Sequence, residues 1–431
     1  MRNIESNSDT KLGAEAEVES LVLGFDMIFS DLYQRTGLLK LDKSFLNFLN
    51  ESNPDLYDRY THARLHLNSL NEKDESNLLI EVAPLLDDFI SKLFCIEAEV
   101  QDLSARHHEL APLYFCKRQF VLRKAMNKVS SEDIAKIDGP KLEKQLEAKF
   151  KAPFSELLFA KKVIEWLKDE EKNEDILKVA LFYAAWALKT VEGKKRNQRG
   201  VLFKGHPKLD YSHLVPSITN SSEGYVAHRL DHFRRREGFS LTDQGTDLAG
   251  ALDQANYCIW CHEQGRDSCS KGLKVKPKTP EEPKTFKKSP FGVLLAGCPL
   301  EERISEFHKL KTEGIAIGGL AMIVLDNPMC AGTGHRICND CMKSCIYQKQ
   351  EPVNIPEAET RTLKDILELP WGFEIYSLLT RWNPLDLERP VPKDSSGHKV
   401  LVVGMGPAGY TLAHHLMNDG HFVMGIDGLK I

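Results

Sequence analysis

No run in this sequence is both long enough and apolar enough to cross a bilayer. The best stretch, residues 179–191, is short and is interrupted by Lys189. The N-terminus, MRNIESNSDTKLGAEAEVES, is polar and acidic, with no apolar core of the kind a secretory signal needs. Neither sign of charge dominates: 57 Lys and Arg stand against 62 Asp and Glu, for a net charge of −5. That balance gives no electrostatic footprint for nucleic acid or for an anionic membrane. Internal repeats are absent, and the first 190 residues carry neither strand alternation nor a catalytic motif. These absences predict a cytoplasmic protein with neither nucleic acid nor membrane as partner. With 431 residues and 42% hydrophobic side chains, the chain has room for two or three domains with sizeable cores.

What is present first is helical periodicity. Leu21, Leu23, Phe25, Met27, Ile28, Leu32 and Tyr33 form one apolar set, and Leu79 to Leu93 form another. A third runs from Phe154 to Leu188, and breaks at Ser52-Asn53-Pro54 and Asp138-Gly139-Pro140 separate such segments. Residues 1–192 are therefore expected to be an α-helical domain, and 193–250 a loop-rich basic connection. The basic runs at 193–196 and 234–236 read as solvated surface, or alternatively as contacts to a cofactor phosphate. Residues 274–290, rich in Lys and Pro, read as an exposed insertion. Helices are predicted again from Pro299, with Leu300, Ile304, Phe307 and Leu310 on one face, then at 315–325, 356–369 and 373–381.

Cysteine is the most telling residue type. Eight of the ten fall between 258 and 345. Cys258, Cys261, Cys269 and Cys298 form one group, and Cys330, Cys338, Cys341 and Cys345 another. In a reducing compartment, clustered thiols point to metal or redox chemistry before disulfides. Four thiolates usually hold each 4Fe–4S unit, and a C-x2-C pair brings two of them to one centre from a single loop. Eight cysteines are enough for two such clusters. The same residues admit a zinc site built on two C-x2-C pairs. Cys258 to His262 also fits haem attachment, and Cys258 with Cys261 fits thiol–disulfide exchange. Cys95 and Cys116 sit among apolar residues and read as core. His107, His108, His262 and His335 read as surface or loop residues.

A second motif follows. Val400 to Val403 is a continuous apolar strand of the buried, parallel kind. It leads into Gly404-Met405-Gly406-Pro407-Ala408-Gly409, then a helix to about Asn418, a strand from 421 to 426, and Asp427. This is the context a dinucleotide turn requires. Gly404 permits the tight turn, Gly406 lets the backbone approach a pyrophosphate, and Gly409 lets helix and strand pack closely. Asp427 is placed to accept hydrogen bonds from a ribose hydroxyl.

The cysteine pattern in full, C-x2-C…C…C-P-L, then N-x-P…G-x-R-x-C-x2-C-x3-C, then P-V-x-I-x-x-x-E, resembles the helical double-cluster ferredoxin domain of the glutamate synthase small subunit and of dihydropyrimidine dehydrogenase. The elements here are the two cysteine groups, Pro299-Leu300, Asn327-Pro328, residues 334–336, Pro352 to Ile355 and Glu359. That domain also precedes a flavin-binding G-x-G-P-A-G, as here. The resemblance covers about 250–431. It implies that Cys258, Cys261, Cys269 and Cys345 hold one 4Fe–4S cluster, and that Cys298, Cys338 and Cys341 hold another. The eighth ligand is left between Cys330, favoured by thiolate softness, and Glu359, favoured by position. It implies FAD at the glycine turn.

The resulting expectation is a mainly α protein: a helical domain over 1–192, a connection over 193–250, an α-helical ferredoxin-like domain over 251–390, and the first βαβ unit of a Rossmann-type FAD domain over 398–431. It would be the electron-transfer portion of an NAD(P)H oxidoreductase. The NAD(P)H site would lie outside this chain, on a C-terminal flavin domain or a separate catalytic subunit. The chain alone would then be inactive. The competing expectation is a non-enzymatic zinc-binding helical scaffold.

Overall fold

The computed structural model describes residues 21–215, 217–222, 225–230, 235–241, 243–276, 279, 285–334 and 337–428. The polar N-terminus, Arg234, part of the 274–290 insertion, His335 and Arg336 lie outside the described residues. The protein is mainly α. Breaks read from the sequence are helix ends. Ser52 closes the helix Arg35–Ser52, and Asn53 caps the next, Pro54–Leu65, by accepting the Leu56 N–H at 3.1 Å. Asp138 caps Gly139–Phe150 in the same way, from the Lys141 N–H at 3.0 Å. The apolar set Leu79 to Leu93 lies in the helix Glu72–Phe94. The third set forms two helices, Glu156–Trp166 and Glu174–Lys189.

Two expectations about local structure fail. Leu21 to Tyr33 is not one helix: Val22 and Ile28 pair as a bridge, Phe25 and Asp26 take positive φ, and only Phe29–Tyr33 coils, as a short 3-10 helix. The turn is held by Leu23 N–H to Met27 O at 2.8 Å and Gly24 N–H to Leu93 O at 2.9 Å, which buries Leu23, Met27 and Leu32 without a helix. Pro299 opens no helix either. The chain turns at Glu301, which has positive φ, leaves Leu300 exposed, and coils only over Ile304–Thr312. The loop-rich 193–250 segment also carries an antiparallel hairpin, formed by Ser217–Ser222 and Tyr225–Leu230.

The buried side chains form two cores. One unites residues from Leu23 to Leu103 with residues from Ile304 to Leu385, so the first helices and the cysteine region share an interior. The other gathers Leu113 to Phe203 and reaches Leu252. Asp87 marks the joint in the first core. It is buried on the helix Glu72–Phe94 and accepts the Gly318 N–H at 2.6 Å, in the first turn of the helix Ala316–Asp326. A Cβ on Gly318 would stand 2.7 Å from the Ala83 carbonyl oxygen, so glycine is what permits this approach. Among the described residues no helix is long and apolar enough to cross a membrane.

Candidate functional site

The first cysteine group is set by short loops between capped helices. Asp247 caps the helix Leu248–Tyr257, and Cys258 ends it. Trp260 then takes a left-handed conformation, which turns the chain into the single 3-10 turn Cys261–Gln264. Asp267 accepts the N–H groups of Cys269 and Ser270, both at 3.1 Å, and opens the turn Ser268–Lys271. The insertion does not displace Cys298. It is closed at its base by Leu273 N–H to Leu295 O and Leu295 N–H to Lys287 O, each 2.9 Å, so Cys298 N–H reaches Cys269 O at 2.8 Å. Gly297 makes that return possible: it has positive φ, and a Cβ there would overlap the Ser270 carbonyl oxygen.

These loops bring Cys258, Cys261, Cys269 and, from a loop some 75 residues on, Cys345 around one small pocket that Ile304, His308, Val353 and Ile355 also line. The thiols sense one another. Cys269 is pushed well up by its hydrogen bond with Cys345, then by burial, and the same bond lowers Cys345 to about 7. Burial raises Cys258, and it raises Cys261 to about 11. Without a cation the quartet is therefore mostly protonated, and Cys345 is the thiol that ionises first.

Cys298, Cys338 and Cys341 form a second gathering, with two buried carboxylates. Burial raises Cys341, and Glu302, Cys298, Glu359 and Cys338 raise it further. Cys338 is raised by burial and then by Glu359, and Cys298 by burial to about 11. Burial holds Glu359 at about 8, although Asn327 Nδ2 donates to it at 3.1 Å. Glu302, fully buried, is raised by burial and then by Glu359. Cys330 also lies near both glutamates, and burial, then Glu359 and Glu302, raise its thiol. Sequence reasoning missed Glu302: Glu301-Glu302-Arg303 reads as a solvated charge run, and only the fold buries its middle member.

Most of the buried polar atoms without partners lie on or next to the segments that carry these thiols. Among the described residues they are Trp260 Nε1, His262 Nε2, Ser268 Oγ, Glu302 Oε1 and both ring nitrogens of His308, with Glu156 Oε1 the one elsewhere. A buried unpartnered donor or acceptor costs about 1–3 kcal/mol, so its clustering marks a site that expects a bound group. Soft thiol donors in sets of three and four, beside unpartnered imidazole and indole, fit an iron–sulfur group in kind. Among the described residues, no three or more His, Cys, Asp or Glu side chains are arranged to hold a single metal ion. His107 is not the surface or loop residue expected but lies buried in the helix Glu97–Cys116, whereas His262 sits in a turn as expected, buried rather than exposed. His107 Nδ1 donates to Leu103 O at 2.8 Å, and His262 Nδ1 pairs with Ser305 Oγ at 2.6 Å. Cys116 is buried as expected, whereas Cys95 is exposed, because it is the left-handed cap that ends a helix.

The glycine turn is built as its spacing demands. Lys399–Val403 and Phe422–Ile426 run parallel, with Val403 opposite Ile426, and the helix Pro407–Asn418 crosses between them. Gly404 has φ of 93°. A Cβ on Gly409 would overlap the Gly404 carbonyl oxygen, whereas a Cβ on Gly406 would meet no atom within 4 Å, which leaves that face open. Asp427 accepts the Met405 N–H at 2.6 Å and so braces the turn from the end of the second strand. The unit adjoins the second thiol gathering, because the Tyr410 hydroxyl lies against Gly332 in the turn that begins at Cys330.

The RP005 N-terminal alpha-helical domain matches residues 23–95. The uncharacterised protein RP005 of Rickettsia prowazekii is 31% identical over 301 residues, which cover 68% of this chain and 98% of RP005. The chain belongs to the RP005 family. It is also 59% identical over 103 residues to the uncharacterised protein RP006 of the same organism, spanning 24% of this chain and 15% of RP006. A third relative is the glutamate synthase [NADPH] small chain of Bacillus subtilis, 33% identical over 130 residues, or 30% of this chain and 23% of that protein. This RP005-family chain thus carries a partial similarity to a redox enzyme.

Proposed function

We propose that the chain is the electron-transfer portion of a cytoplasmic oxidoreductase that uses flavin, iron–sulfur clusters and NAD(P)H, and that it relays electrons between FAD and two 4Fe–4S clusters. The observation that carries this reading is the convergence of thiols from distant loops on two places. The partial similarity to a glutamate synthase [NADPH] small chain supports it. Cys258, Cys261, Cys269 and Cys345 would hold one cluster. Cys298, Cys338 and Cys341 would hold the other, with its fourth ligand from either Cys330 or Glu359, both of which lie by the second gathering. Residues 404–409 and Asp427 would receive FAD. When bound, these groups supply single-electron steps and their coupling to the two-electron chemistry of a nicotinamide.

The chain's own residues supply the rest. The thiols must shed protons to ligate, so loading releases protons, and like-charge repulsion among them is relieved only by a cationic group. Asp427 fixes the Met405 N–H, and the open face at Gly406 leaves the helix N-terminus facing an anion. Val403, 74% exposed, and Phe422, 60% exposed, leave apolar strand surface uncovered on this unit. A flavin domain or catalytic subunit that covers this surface and carries the NAD(P)H site would be the partner, and the chain alone would not turn over. Chain purified without oxygen should be brown, absorb broadly near 400 nm, and bleach with dithionite. Colourless protein containing stoichiometric zinc would replace this reading with that of a zinc-binding scaffold.

A further inference from the structure

A cleft of about 500 Å³ lies on the far side of the first thiol pocket. The two share a wall, because Cys258, Ile259 and Tyr347 line both. The volume is in the range of small-molecule sites, about 300–1,000 Å³. Aromatic rings form one side: His206 and Tyr257 stack at 3.4 Å between centroids and 3° between planes, and Tyr257 and Tyr347 stack at 4.3 Å and 1°. The opposite side comes from an unusual backbone. The helix Glu97–Cys116 continues as a π-helical segment, Lys117–Ala125, and its Lys117, Arg118 and Leu122 line the cleft. Widened turns of this kind recur at functional sites.

The charges there are not balanced. Lys117 is buried and donates both its 2.7 Å hydrogen bonds to Asp253, so that pair cancels. Arg118 is exposed, and among the described residues none pairs with its guanidinium. Trp260 adds an indole N–H that is buried and unpartnered.

We propose that this cleft binds a planar aromatic ring carrying an anionic group, as an electron-exchange partner of the first thiol site. The stacked rings supply an aromatic border with only the outer faces of the stack free, and Arg118 supplies the fork that pairs with phosphate or carboxylate. The shared wall at Cys258 puts an occupant beside whatever those thiols hold. A redox-active ring such as a flavin would gain one electron as a cluster held by the first thiols lost one, with no covalent bond made. This role rests on the function proposed above, whereas the binding does not.

The test is equilibrium dialysis of the full chain with FMN, riboflavin and inorganic phosphate, with iron and sulfide measured on the same samples. FMN is expected to bind at least tenfold tighter than riboflavin or phosphate. Arg118→Gln should bring FMN down to the riboflavin level, and Trp260→Leu should weaken both flavins. ADP, which suits a glycine turn, should leave FMN bound. The proposal is overturned if FMN binds no tighter than phosphate, if Arg118→Gln changes nothing, or if ADP displaces FMN. Samples that contain iron but bind no FMN would remove the cleft alone. Samples that bind FMN but contain no iron would keep the cleft and sink the iron–sulfur reading.

Discussion

Replacing Asp87 by Asn removes a titration that the fold itself creates. Asp87 is fully enclosed between two helices, and burial raises its carboxyl to about 7 against the stabilising Gly318 and Ile317 N–H groups. In an unfolded chain the same group titrates near 3.9. Between those two values the folded protein binds more protons than the unfolded one, so stability falls as pH rises. This contribution is greatest below about pH 4 and is lost above about pH 7, a span worth about 4 kcal/mol. Asn keeps an oxygen for the Gly318 N–H and carries no charge at any pH. Urea unfolding of both proteins in reductant, followed by tryptophan fluorescence from pH 5 to pH 8, reads the difference. The variant should gain on the wild type by about 3 kcal/mol across that range. Parallel pH profiles would refute the reasoning, and with it the idea that the first helices and the cysteine region meet through this buried carboxyl.

Other expectations follow from the same geometry. Gly409→Ala forces a Cβ into the Gly404 carbonyl and should make residues 398–428 sensitive to protease, whereas Gly406→Ala meets no neighbour and should leave protease resistance intact while weakening ADP binding. Lys311→Met strands Asp365, which it contacts at 2.8 Å in the interior, and should cost about 3–5 kcal/mol in urea unfolding, toward the lower end because Arg361 still pairs with that carboxylate. His308→Leu removes a fully buried ring with two unpartnered nitrogens, so metal-free protein should gain about 1–3 kcal/mol. In loaded protein the same change removes an N–H donor from the first site, and the midpoint potential of one cluster should move negative while the other stays.

What the sequence made legible was local. Asn53 and Asp138 announce helix starts because a short acceptor must satisfy the first free N–H groups. The glycine turn is readable because Gly404 must take a positive φ and Gly409 must pass close to the Gly404 carbonyl oxygen. Cys258 and Cys261 are readable as neighbours because C-x2-C spacing alone brings two sulfurs to one place. What stayed hidden depends on distant partners. Phe25 and Asp26 carry helical apolar spacing but form a turn, because Leu93, far along the chain, accepts the Gly24 N–H. Glu302 and His308 look like ordinary residues of a charged run and an amphipathic helix, and their burial comes from the elements packed over them. The sharing of one core by residues near 23–103 and 304–385 is likewise a matter of tertiary contact, which no local period encodes.

The central claim is that sulfur side chains from remote loops jointly bind inorganic iron. Iron and acid-labile sulfide counted per chain, after purification without oxygen, test it most directly. The account predicts roughly eight of each, as two four-iron clusters require. Protein that contains neither, with its thiols free or occupied by zinc, would contradict it.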